Sequence, residues 1–246
     1  KADFVQLFEQ QALENPSAFA ISCGQNELTY QQLNALANQW THYLIENHQL
    51  GPNKFVGIFL PRSEKAIALI LAILKTGAAF APIDPEYPTE RVTFILQDCQ
   101  PSLVLTDKAS QQWHQSIQGE VLVVEEVETE VSSYAKSNPY ILRQPSDTAY
   151  LLYTSGSTGK PKGVKISNYS LNDYISTFIQ YFSLGQKDRV IQQSSLAFDV
   201  SVEEVFPTLG AGAQLIVAKE GGKDIEKIIE LIEEKQATLL STTPLV

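Results

Sequence analysis

Cysteine is nearly missing from this chain: Cys23 and Cys99 are the only two in 246 residues. Two thiols cannot build the disulfide framework of a small secreted domain, and neither has a neighbouring histidine to mark it as a nucleophile. Histidine is just as scarce, and His42, His48 and His114 are scattered, which reads as surface or core rather than catalysis. Long apolar runs are lacking too. No stretch reaches the ~18 residues of a membrane-crossing helix, and no secretory signal is visible, so a reduced, cytoplasmic setting is expected. Positive charge is in deficit, with 18 Lys and Arg against 28 Asp and Glu and a net charge of −10. That balance argues against non-specific binding to nucleic acid or to an anionic membrane. It does not argue against a nucleotide, because phosphate is held by a local arrangement of donors. Internal repeats, coiled-coil heptads and low-complexity tracts are absent as well.

What remains is ordinary globular material, 43% hydrophobic and 19% charged, long enough to bury a full core in one domain or two small ones. Helix-period and strand-like segments alternate along nearly the whole length, which predicts an α/β fold of layered mixed sheets flanked by helices. Helices are expected over Phe4–Leu13 (ending before Pro16), Gln31–Asn47, Glu64–Lys75 (with Ser63 as cap), Thr89–Leu96, Ser167–Phe182, Val200–Leu209 and Asp224–Glu234. Strands are expected at Ala18–Cys23 and Leu28–Tyr30, paired as a hairpin, then at Phe55–Leu60, Ala79–Pro82, Ser102–Thr106, Thr148–Tyr153, Arg189–Gln193, Gln214–Ala218 and Ala237–Ser241. The acidic, polar stretch Val127–Ser146 reads as a surface excursion.

Tyr153-Thr154-Ser155-Gly156-Ser157-Thr158-Gly159-Lys160-Pro161-Lys162-Gly163-Val164 is the densest stretch of the chain, with three glycines, four hydroxyls and two lysines after the apolar run Ala149–Leu152. Glycines let successive N–H groups converge, hydroxyls add donors, and lysines add charge, so the segment describes a cradle for phosphate oxygens. A flexible Gly/Ser surface loop is the competing reading, but such a loop has no need of two lysines and a proline directly after a buried strand. The spacing is not that of a Walker A loop, because only Ser157 and Thr158 separate Gly156 from Gly159-Lys160, and Pro161 follows the lysine. The glycine interval of the kinase loop is missing too. Gly163–Ser167 looks like a strand, so the loop is expected to join two strands of a hairpin.

The string YTSGSTGKPKGV closely resembles the signature loop of adenylate-forming enzymes, the superfamily of acyl-CoA synthetases, luciferases and peptide-synthetase adenylation domains. Leu28–Asn34 resembles the early LTYxEL segment, with Gln32 in place of the usual acid. Leu74–Arg91 is very similar to the peptide-synthetase form of the second segment, and Phe198-Asp199-Val200-Ser201 resembles the FDxS segment that opens the amino-acid pocket. The four segments occur in family order, and the resemblance covers essentially the whole chain, from Phe4 to Val246.

The resemblance implies the N-terminal part of the large domain of the adenylate-forming fold. Segments resembling YGPTE, TGD and the late catalytic lysine do not occur in these residues, so groups for adenine, ribose and magnesium are not expected within 1–246, nor is full catalysis by this stretch alone. The reaction implied joins an amino acid to ATP as aminoacyl-adenylate, with Mg2+, and passes it to the phosphopantetheine thiol of a peptidyl carrier domain beside a condensation domain. Thr154, Ser155, Gly156, Ser157, Thr158 and Gly159 would wrap the β- and γ-phosphates, with Lys160 and Lys162 screening the leaving pyrophosphate. Asp199 would pair with the substrate α-ammonium, although on sequence alone a helix-capping aspartate is the simpler reading. Phe198 and Val200 flank it, Glu203 lies one helical turn on, and Ser241 aligns roughly with another pocket wall. Glu204 is expected to be a solvated helix-face acid. A pocket-lining Glu203 would favour arginine, then lysine, then tyrosine. Two competing readings stand beside this one: an acyl- or aryl-CoA ligase, for which Asp199 has no purpose, and a non-catalytic nucleotide-binding fragment.

Overall fold

The alternating pattern folds into two α/β units in the computed structural model, which describes residues 2–110, 119–155 and 159–243. His114 lies outside the described residues. One unit comprises Lys1–Ala35, Arg62–Ile67 and Tyr169–Val246, and the other Leu36–Pro61 and Ala68–Asn168.

In the first unit, β1 (Phe19–Cys23) and β2 (Asn26–Thr29) form the expected antiparallel hairpin. Strands β9 (Arg189–Gln192) and β10 (Gln214–Val217) complete a sheet of order β2-β1-β10-β9, parallel except at the hairpin. Strands β1, β9 and β10 are buried along nearly their whole length, as befits parallel strands covered on both faces. Helix α1 (Phe4–Glu14) starts in a capping box: Gln6 N–H donates to the Asp3 carboxylate at 2.8 Å, and Asp3 N–H donates to Gln6 Oε1 at 2.9 Å. Such a cap contributes about 1 kcal/mol. Phe4 meets Phe206 of α7 (Val200–Gly210) edge-on, with ring centroids 4.8 Å apart. Phe8 tilts against Tyr30, whose buried hydroxyl donates to the Ala213 carbonyl at 2.6 Å. Helix α8 (Ile225–Lys235) follows a 3-10 turn at Gly221–Lys223, and its Ile228 joins Ile191 and Ile216 in a core cluster.

One expected strand does not form. Across Ala237–Ser241 only Leu239 bridges to Val190, and Ile191 N–H donates to the Leu239 carbonyl at 3.0 Å. Thr238 turns its hydroxyl onto the Asp188 carboxylate at 2.8 Å instead of extending a ladder.

The second unit carries β3 (Phe55–Phe59), β4 (Ala79–Pro82), β5 (Leu103–Thr106), β6 (Val121–Val123), β7 (Thr148–Thr154) and β8 (Lys162–Ser167) in the order β6-β5-β3-β4-β7-β8. All neighbours are parallel except β7 and β8. Helix α4 (Thr89–Cys99) buries Val92 and Ile95 with Phe59, Val104, Leu151 and Tyr153 in one cluster.

The Val127–Ser146 stretch is less of an excursion than its composition suggests. Val124 and Val131, seven residues apart, bury one face of a further helix, α5 (Val124–Val131). Beyond it the backbone is held by side chains of α2 (Tyr30–His48): Gln39 Nε2 donates to the Ser132 carbonyl at 2.8 Å, and Asn38 Nδ2 to the Lys136 carbonyl at 2.8 Å. His42 contacts the Ser137 carbonyl at 2.9 Å and His48 contacts Glu120 at 2.7 Å, so both histidines tie α2 to the segments beside it. Among the described residues no helix is long and apolar enough to cross a membrane.

Candidate functional site

The phosphate-loop candidates lie in the second unit, between two antiparallel strands. Tyr153 pairs with Gly163 and Thr154 with Lys162, which bears out the hairpin. Helix α6 (Asn168–Phe182) begins only after β8, so no helix N-terminus follows the loop directly, unlike a P-loop. Thr154, Ser155, Gly159, Lys160 and Lys162 are all exposed. Gly159 has φ of +81°, a conformation that side-chain-bearing residues avoid. Gly156, Ser157 and Thr158 lie outside the described residues.

The base of the hairpin is braced. The Tyr153 hydroxyl donates to the Asp98 carboxylate of α4 at 2.6 Å, and burial together with that acceptor pushes the phenol above its ordinary pKa. Gly163 sits under the same ring, where a Cβ would stand 3.1 Å from it. A larger residue there would require the Tyr153 ring or the Leu151 side chain to give by a few tenths of an ångström. Tyr153→Phe is expected to lower the unfolding free energy by about 1 kcal/mol, the contribution of one partly exposed hydrogen bond. Urea titration checks this, and an unchanged midpoint would mean that the Asp98 contact contributes nothing.

The amino-acid candidates lie in the first unit. The polypeptide leaves β9 through Gln193–Ala197 and enters α7 at Val200. Ser201 closes this turn: its buried hydroxyl donates to the Phe198 carbonyl at 2.6 Å and to the Leu196 carbonyl at 3.2 Å. Asp199 holds the N-cap position, but with helical φ and ψ of −60° and −30°, and its side chain makes no capping bond. The carboxylate is exposed. The capping explanation for this aspartate therefore fails, and among the described residues its charge is left free for a ligand. Phe198 is 51% exposed and Val200 half-buried. The helical backbone at Asp199 keeps Glu203 one turn away on the same face. Glu203 is half-buried and accepts a hydrogen bond from the Tyr174 hydroxyl at 2.8 Å on one oxygen.

Glu204 overturns the expectation of a solvated acid. It is fully buried. It accepts from Gln192 Nε2 at 2.9 Å, Gln193 N–H at 3.1 Å, Ser194 N–H at 3.2 Å and Ser194 Oγ at 2.7 Å. Burial pushes its carboxyl up to about 7, against the pull of those donors. A signal was available in the sequence. Val205–Gly210 contains no charged residue, which marks a helix buried on most sides, and one of two adjacent acids on such a helix must point inward. Ser241, half-buried, is tied to the same place, since Gln193 Nε2 donates to its carbonyl at 2.6 Å.

Among the described residues no group of three His, Cys, Asp or Glu could hold a metal ion. Cys23 and Cys99 are free, and burial raises both thiols, Cys99 to about 11. They stay protonated and unreactive, in line with the sequence reading.

A profile of AMP-binding enzymes matches residues 8–246. The chain is 35% identical over 242 residues to the dimodular nonribosomal peptide synthase of Bacillus subtilis (strain 168), covering 97% of this chain and 10% of that protein. It is 38% identical over 240 residues to tyrocidine synthase 3 of Brevibacillus parabrevis, covering 97% of this chain and 4% of that protein. Among solved structures, the nonribosomal peptide synthetase FmoA3 with α-methyl-L-serine-AMP bound is similar at a TM-score of 0.88 and 26% identity, over 99% of this chain and 27% of that one. FmoA3 has also been solved with AMPPNP bound. The chain thus spans a tenth or less of these two curated relatives.

Proposed function

The chain belongs to the AMP-binding enzyme family, and from that premise we propose that it is the N-terminal portion of an adenylation domain that activates an amino acid with ATP for a cytoplasmic peptide synthetase. The observation that carries this reading is Asp199, an exposed carboxylate at the head of a buried helix, used neither as a cap nor in an ion pair among the described residues. A fatty or aryl acid has no amine for it to bind. An α-ammonium supplies the charge-assisted partner.

In the reaction proposed, one carboxylate oxygen of the amino acid attacks the α-phosphorus of ATP. The bond to the pyrophosphate oxygen breaks, and the products are aminoacyl-adenylate and pyrophosphate. The thiolate of a carrier domain's phosphopantetheine then attacks the acyl carbon, and AMP departs. The chain's own contribution is position and charge rather than covalent attack. Thr154, Ser155, Gly156, Ser157, Thr158 and Gly159 offer donors to the β- and γ-phosphates, and Lys160 and Lys162 offset the charge that builds on pyrophosphate as it leaves. Asp199 holds the amine, and Phe198, Val200 and Ser241 form walls. Mg2+ is expected to accompany the nucleotide.

Glu203 keeps one oxygen for the substrate side chain after binding Tyr174. Arginine matches it best, with a planar fork, then lysine, then tyrosine. An exchange assay of labelled pyrophosphate into ATP, run on the full-length protein over all amino acids, tests both levels. Glu203→Gln is expected to reduce the exchange supported by a cationic amino acid about tenfold. If the preferred amino acid is unaffected, Glu203 is a surface acid held by Tyr174. Turnover of acids lacking an α-amine with free coenzyme A would instead identify an acyl ligase, and nucleotide binding without turnover a non-catalytic fragment.

A further inference from the structure

Glu204 is hard to account for as a source of stability. A carboxylate withdrawn from water with no cation beside it among the described residues is unfavourable, and its hydrogen bonds must first offset that desolvation before they add anything. What the carboxylate does is join segments. It gathers the backbone and side chains of Gln192, Gln193 and Ser194 onto α7 through the bonds described above. Gln193 then reaches on, donating from Nε2 to the Ser241 carbonyl at 2.6 Å. Its side chain occupies a slot that Gly222 keeps open, for a Cβ there would lie 2.3 Å from Gln193 Oε1. The far end of the turn is closed by Ser201. Asp199 is therefore presented by a short turn whose start is fixed by Glu204 and whose end is fixed by Ser201.

We propose that Glu204 is a positioning residue for amino-acid binding: through the 192–194 segment it holds the turn that presents Asp199, and through Gln193 it holds Ser241. This rests on the reading of Asp199 given above. Rotating a side chain that carries the amine's counter-charge by a fraction of an ångström weakens a directional charged bond, while nucleotide binding draws on other residues.

The test uses the full-length protein carrying Glu204→Gln, which keeps the size but presents an NH2 to a site filled with donors. Two quantities are measured: KM for the preferred amino acid and for ATP in pyrophosphate exchange, and amide hydrogen exchange over residues 192–203 and 238–243. The expected result is an amino-acid KM raised about tenfold, an ATP KM within about twofold, and faster amide exchange in both segments. Ser194→Ala removes only the 2.7 Å hydroxyl bond and should give a smaller change of the same kind, about threefold. It carries the same test if Glu204→Gln does not fold. Equal rises in both KM values, or unchanged protection at 238–243, would overturn the proposal. If the wild type supports exchange with no amino acid while the variant still loses protection in both segments, the tether stands and the reading of Asp199 falls.

Discussion

Asp199→Ala in the full-length protein is expected to lower kcat/KM for the amino acid by about a hundredfold, with the KM for ATP nearly unchanged. The magnitude follows from the bond removed. A hydrogen bond between opposite charges contributes about 1.5–3 kcal/mol, and each 1.4 kcal/mol is tenfold. The structure makes this a clean substitution. The side chain makes no capping bond, so its removal leaves no helix N–H newly unpaired, and the exposed position leaves no cavity. A stability loss near zero should therefore accompany the loss of activity, which thermal unfolding can check. Asp199→Asn, which keeps an acceptor but not the charge, should fall between wild type and alanine. Undiminished exchange with the same amino acid in Asp199→Ala would remove the carboxylate from the site.

The sequence carried the fold further than it carried the site. Strand β4 was legible to the residue, and the β7–β8 hairpin followed from the run Gly163–Ser167, although Pro161 would also have suited the first turn of a helix. Local chemistry decides such features, since short runs of this kind carry their own strand signal. The misreadings arose where burial is decided from a distance. Glu203 and Glu204 are adjacent and chemically identical, and which one turns inward depends on where Gln192, Gln193 and Ser194 offer their donors. The same holds at α5, whose second half, inside the acidic stretch read as a surface excursion, is helical and buries Val131. At Ala237–Ser241 the residues favour a strand, but only Leu239 finds a partner. The role of Ser201 was also hidden, since a serine at the second residue of a helix gives no sign that it closes the preceding turn.

Glu204 should also leave a mark on stability that pH reveals. Its carboxyl is pushed up to about 7 in the folded protein, from an ordinary 4.5, because it is withdrawn from water. Between those two values the unfolded chain has released the proton and the folded chain keeps it. Folding is then favoured by protonation, so the stabilisation is full below about pH 4.5 and is lost as pH rises through 7. The difference between the two values corresponds to about 3 kcal/mol. Glu204→Gln isolates it, since every other group is common to both proteins and cancels in the difference. Urea unfolding of both proteins at pH 5 and pH 8 is expected to show the wild type losing about 3 kcal/mol more than the variant over that interval. The lost donor pairings in glutamine lower the variant's stability by an amount that does not depend on pH, so they shift its curve without changing its slope. Parallel curves would mean that the four donors hold the carboxyl ionised throughout. In that case the charge itself fastens the turn to α7, and the tether from Glu204 to Ser241 would keep its strength from pH 8 down to pH 5.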